Sequence, residues 1–250
     1  PLHTEVAAWI SARSDSILTL FILAGLNLQL LARGKRTGAW PLRLAAAFCL
    51  LLAIGSKETG VVGLGLMGLF SLAMPEGENP WRRLAQEISL PLLALGLALA
   101  WRFAVIGDVE LDRLGVRAGP GFWTGLYLLG RNLQQSLLPL GHGVADTLVR
   151  VRGLSAHGIF ALLALSAWAG AAWHLRKRAP LVGLAGLAWL GSILPVAQIL
   201  PLLHARGDRY LYLPAIFAEA CLLAGLYWIA LRLNARRLAQ KALLATALAG

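Results

Sequence analysis

The chain has 250 residues, of which 58% are hydrophobic and only 14% charged, and its formal net charge is +11. That balance, with apolar stretches recurring along the whole length, excludes both an ordinary soluble domain and a soluble domain behind a single signal peptide. The positive charge sits in short knots beside apolar runs and forms no separate basic domain, so nucleic acid is not an expected partner.

In chain order, seven apolar stretches approach the roughly 17 to 25 residues needed to cross about 30 Å of hydrocarbon. They fall near residues 16–33, 40–55, 59–74, 84–106, 157–175, 180–202 and 211–231. The second and third are short and glycine-rich, so tilt or extension into the flanking knots is expected there. Residues 107–156 break the pattern with Asp108, Glu110, Asp112, Arg113 and Arg117 and read as a large extramembrane loop. The fold class that follows is all-α: a polytopic membrane bundle of about seven transmembrane helices plus an interfacial helix, forming a single domain over 1–250. The chain opens on PLHTE without a preceding span and closes on QKALLATALAG, which reads as the start of a further helix, so a larger bundle is expected. Cys49 and Cys221 lie inside apolar runs and read as core fillers, with no disulfide framework or thiolate metal site implied.

Alternate knots differ in charge. RGKR (33–36), WRR (81–83), HLRKR (174–178) and RLNARR (232–237) are plainly basic and are expected on the cytoplasmic side. The other set mixes acids and bases: HTE with Asp15, SKET (56–59), the long loop and HARGDRY (204–210). It is expected to face outward. Ionisable groups so close to hydrocarbon are costly unless paired or hydrated, which makes this outward set the candidate site.

On a helix starting at 11–16, Arg13 and Asp15 project about 200° apart and do not pair with each other. Glu5 or Glu58 is then expected to accept from Arg13, and Lys57 to neutralise Asp15. In HARGDRYLYLP, Asp208 suits the N-cap region of the last span and Pro214 its first turn, whereas Arg206 and Arg209 are suited to a phosphate ester. Within the long loop, residues 122–140 place Phe122, Leu126, Leu129, Leu133 and Leu137 on one helical face and Arg131, Asn132, Gln134 and Gln135 on the other. That pattern fits a helix lying in the membrane interface, or one packed on the bundle. Glu219 is a carboxylate about two turns into the last span, where it is protonated, paired or beside a cavity.

Three of these stretches, PLHTEVAAWISARSDS, GSKETG and GDRYLYLP, together resemble the HP-x-HTE-x-V-x-x-I-x-x-R-x-D, SKE and ERYLYLP signatures of bacterial proteins related to the transmembrane, tetratricopeptide-bearing O-mannosyltransferases. LYLLGRNLQQSLLPLGHGVAD is similar to the interfacial stretch of the same family, from which Asn132 and His142 depart. These enzymes belong to the GT-C class of integral membrane glycosyltransferases. The resemblance implies transfer of a sugar from a polyprenyl-phosphate carrier to an acceptor protein or glycan, on the periplasmic face of a bacterial inner membrane. It implies that Arg209, Tyr210 and Tyr212 meet the carrier phosphate, that Lys57 and Glu58 form the cavity wall, and that His3, Glu5, Arg13 and Asp15 line its outer end; the chemistry of the side chains adds Lys57 and Arg206 to the phosphate-binding set and Asp208 to the polar lining. It also implies that the catalytic base lies upstream of residue 1. No cofactor is predicted and no strong metal signature is present, since His3 and Glu5 alone are too few ligands, which leaves a divalent ion open. A transporter or flippase for a lipid-linked or anionic substrate is the alternative, and a structural membrane subunit a third; the concentration of ionic groups at the outer span ends favours the transferase.

Overall fold

The computed structural model describes residues 13–35, 38–74, 79–106, 121–137, 151–194 and 208–232. Those residues form eight α-helices and no strands: α1 (Arg13–Arg33), α2 (Trp40–Ser56), α3 (Val62–Ala73), α4 (Pro80–Ile106), α5 (Phe122–Leu137), α6 (Ala156–Arg178), α7 (Pro180–Ile193) and α8 (Tyr212–Arg232). Two single-turn 3-10 segments, Glu58–Val61 and Asp208–Leu211, lead into α3 and α8.

Among the described residues four helices are long and apolar enough to cross a membrane: α1, α4 over Pro80–Val105, α6 and α8. Three shorter apolar helices accompany them, Trp40–Ser56, Glu58–Ala73 and Pro180–Ile193. The expected brevity of the second and third stretches is thus observed, and the sixth is described only as far as 194. Other boundaries moved by a turn or less. Helix α4 starts four residues before the predicted edge because Pro80 fits a first turn, whose N–H is unused anyway. Likewise α6 is capped by Ser155, whose hydroxyl accepts from Gly158 N at 3.1 Å.

Between two apolar helices in hydrocarbon there is little hydrophobic drive, so close backbone approach and polar bonds carry the association. Small residues stand where that approach is tightest. A Cβ on Gly25 of α1 would lie 2.8 Å from Met67 Cε of α3, and one on Gly183 of α7 would overlap the Arg176 backbone. The core joins Leu18, Ile22 and Leu26 of α1 to Leu50 of α2, Leu66 and Met67 of α3, Trp189 of α7, and Leu211 and Phe217. By contrast α4 turns Leu92, Leu93, Leu97, Trp101 and Phe103 outward.

Within the stretch read as a loop, α5 packs on α6. Tyr127 meets the His157 ring edge-on at 5.1 Å, and Gly130 leaves room for the His157 carbonyl. The apolar residues Leu126, Leu129 and Leu133 are buried as expected, but Phe122 is exposed, and Asn132 and Gln135 of the supposed water face are buried too. The helix is therefore clasped on more than one side. Thr124 shows how polar groups survive there: its hydroxyl accepts from Val151 N at 2.9 Å and lies 3.3 Å from Val151 O.

Candidate functional site

The bundle has two polar ends. At one, α1 begins, α2 stops, α4 finishes and α8 begins. At the other, α1 ends, α3 ends, α4 begins and α6 ends; hydrogen bonds, an ion pair and a cation–π contact fix the two groupings.

At the first end Lys57 occupies a single extended residue (φ −163°, ψ 142°) between α2 and the Glu58–Val61 turn. Its backbone is held from both sides, with its N–H on Ala53 O at 3.1 Å and its carbonyl accepting from Gly60 N at 2.9 Å. Gly60 is required for this: a Cβ there would lie 2.5 Å from the Ala53 carbonyl carbon and oxygen. So anchored, Lys57 sends its Nζ to Asp15 Oδ1 at 2.6 Å, with the two side chains 20% and 10% exposed. The same Nζ lies 5.4 Å from the centroid of the Tyr210 ring, within cation–π range. One turn below Asp15, the hydroxyl of buried Thr19 has no hydrogen-bond partner.

The predicted pairing of Lys57 with Asp15 is therefore present, and that of Arg13 with Glu58 is not. Arg13 is exposed, and Glu58 stands 4.0 Å from Arg102 at the far end of α4, both well exposed. The reason is local: the 3-10 turn faces Glu58 away from α1 and toward α4. Tyr212 is half-buried in the first turn of α8, and Pro214 is buried in the same turn, as its fixed φ suits. Asp208 and Arg209 belong to the turn ahead of α8, with their side chains outside the described residues. His3, Glu5 and Arg206 also lie outside the described residues. Glu219 is exposed on α8.

The second end holds a denser network that the sequence reading missed. Arg33 of α1 grips Glu87 of α4 with both arms of its guanidinium, Nε to Oε1 at 2.8 Å and Nη2 to Oε2 at 2.5 Å. Gln29, one turn earlier on α1, brings its amide nitrogen to 2.7 Å from Glu87 Oε2 and 2.9 Å from Ser71 Oγ. Ser71 Oγ is itself 2.5 Å from Glu87 Oε2. The carbonyls at the end of α3, which have no helical partner, are met by arginines: Arg83 donates to Ser71 O at 2.9 Å and Met74 O at 2.8 Å, and Arg176 to Ala73 O at 3.2 Å. A cavity of about 10 Å³ bounded by Gln29, Arg43, Glu87 and Pro91 adjoins the network. Gln29 Oε1 and Arg43 Nε lack partners there, so one water has both room and reason to sit.

Chemically the ends differ. The second closes around the Glu87 carboxylate, which Arg33, Gln29 and Ser71 meet from three sides. The first presents a cation with one carboxylate partner and an aromatic face, partly open to solvent. Among the described residues no group of three or more His, Cys, Asp or Glu side chains could hold a metal ion, and Cys49 and Cys221 are free thiols. No family model, curated protein or solved structure matches this chain.

Proposed function

We propose that the chain is the core of a GT-C-type glycosyltransferase of a bacterial inner membrane, with about seven spans and its reacting face on the periplasmic side. The observation that carries this is the meeting of Asp15, Lys57 and Tyr210 at one end of the bundle. These residues come from three separate stretches, RSDS, SKET and DRYLYLP, the same three that carry the resemblance to the O-mannosyltransferase relatives.

The chemistry follows from the charges. An acceptor hydroxyl oxygen bonds to the anomeric carbon of the sugar as the bond from that carbon to the carrier-phosphate oxygen breaks. The carrier leaves as polyprenyl phosphate, and the hydroxyl proton passes to a carboxylate base. Charge accumulates on the leaving phosphate, so a fixed cation there stabilises the transition state more than the ground state. Lys57 has one of its three donors on Asp15, leaving two for the phosphate. Asp15 holds that ammonium in place, Tyr210 supplies the ring beside it, and Arg209 and Arg206, one and four residues before Tyr210 in sequence, add charge. The acceptor is a protein hydroxyl or a glycan.

The test is transfer of labelled sugar from a polyprenyl-phosphate donor in membranes containing the full-length protein. Lys57→Ala and Arg209→Ala are each expected to cut transfer by about 100-fold, the usual cost of one electrostatic donor. Undiminished transfer in both would defeat the site assignment. Donor counterflow across vesicles without sugar transfer would replace the enzyme by a transporter.

A further inference from the structure

A second candidate site lies at the opposite end of the molecule. A groove of about 380 Å³ opens between the last turns of α6 and α8, lined by His174, Leu175, Arg178, Trp228, Ile229 and Arg232. Each of these helices packs on α7 far more extensively than on the other, which leaves the space between their ends.

Three features identify what fits there. The rim is cationic: Arg178 and Arg232 are exposed, and among the described residues no carboxylate pairs with either. Arg232 lies over the Trp228 ring at 5.2 Å, an arrangement that steadies the guanidinium and leaves its N–H edge for an anion. Running from this rim toward the middle of the bundle, α6 exposes Arg178, His174, Ala171, Ala167 and Leu163 at spacings of three and four, a single stripe that turns from basic to apolar. On α8, Ile229, Leu226 and Leu222 do the same below Arg232. Residues 233–250, which follow Arg232, contain Arg236, Arg237 and Lys241 and no aspartate or glutamate, so this stretch adds only basic side chains beside the rim in sequence.

We propose that this groove binds one anionic glycerophospholipid, its phosphodiester between Arg178 and Arg232 and its acyl chains along the two apolar stripes. Basic pockets between span ends, with tryptophan at headgroup depth, are suited to such a lipid. This site is independent of the transferase assignment and lies at the other end of the molecule.

Native mass spectrometry of the purified full-length protein tests it, with phosphatidylglycerol and phosphatidylcholine of identical acyl chains as probes. Phosphatidylglycerol is expected to be retained at least about tenfold more than phosphatidylcholine. Arg178→Gln and Arg232→Gln should each lower its retention by about fivefold, in line with the contribution of one basic residue near an anionic surface. Arg102→Gln, at the other end, should leave retention unchanged. Equal retention of the two lipids by the unaltered protein would overturn the proposal without any variant having to fold. Displacement of phosphatidylglycerol by millimolar inorganic phosphate would overturn the lipid and reassign the groove to a free anion. Wild-type retention in the double variant would overturn the assignment of the two arginines.

Discussion

The two ends of the bundle are built from the same residue types and do opposite things with them. At the Arg33 end, Glu87 is met by Arg33, Gln29 and Ser71, and α3 ends on carbonyls capped by Arg83 and Arg176. At the Asp15 end, Lys57 has one carboxylate and one ring, and Glu58 and Arg102 stand exposed at 4.0 Å. A charge whose partners are all supplied internally has nothing left to offer a ligand. A charge with donors in reserve and access to solvent does. The difference lies in how completely each group is satisfied, not in how many charges are present.

The sharpest way to break that contrast is to unbalance the closed end. Glu87→Ala would leave Arg33 buried without its carboxylate, with an expected loss of roughly 3–5 kcal/mol. Thermal unfolding in detergent reads it, and the Arg33→Met/Glu87→Ala double variant should recover part of the loss. A change under about 1 kcal/mol would mean the network contributes no more than an exposed pair. At the open end the order reverses: Lys57→Ala should cost about 100-fold in sugar transfer while lowering stability by far less than Glu87→Ala, and comparable losses of stability would erase the distinction between the ends. Gly60→Ala tests the scaffold under Lys57. Its methyl would press on the Ala53 backbone, and roughly 1–3 kcal/mol of overpacking is expected, with reduced transfer because the turn carrying Lys57 must shift. The smallest effect belongs to Arg102→Gln, at less than about 0.5 kcal/mol in the same melt, since both partners of that pair are well exposed.

Much of this was legible in the sequence. Hydropathy located the apolar helices to within a turn or so, and the mixed knots pointed to the end where Asp15 and Lys57 meet. What periodicity could not supply is which charged residue in a knot turns inward. Arg33 and Arg83 sit in RGKR and WRR, knots whose basic charge is expected to place them at the cytoplasmic ends of spans, yet both reach into the bundle. A signal was available on α1, where Asp15, Thr19, Ile22, Leu26, Gln29 and Arg33 recur at three- and four-residue spacing and so share one helical face. A polar residue on an otherwise buried stripe needs a partner, and Glu87 is the carboxylate that meets it. For the α5 stretch the sequence left two readings, an interfacial helix or one packed on the bundle, and the second is observed. Its amphipathic pattern alone could not say whether water or protein meets the polar side, where Thr124 finds the Val151 backbone.

Pro91 carries a further consequence. Lacking an N–H, it cannot bond the carbonyl of Glu87, so α4 loses a rung just beyond the residues that tie it to α1 and α3. The stretch before it is fastened by Arg83 and Glu87, while the stretch after it faces outward through Leu92, Leu97 and Trp101 and carries Arg102 near its tip. A missing rung between a segment fastened by buried polar bonds and one packed only through small and apolar residues such as Ala94 makes a joint. Differences in bilayer thickness are then taken up by the outer half of α4, and spin labels at Leu84 and Leu97 in thin and thick lipid would show only the second one moving.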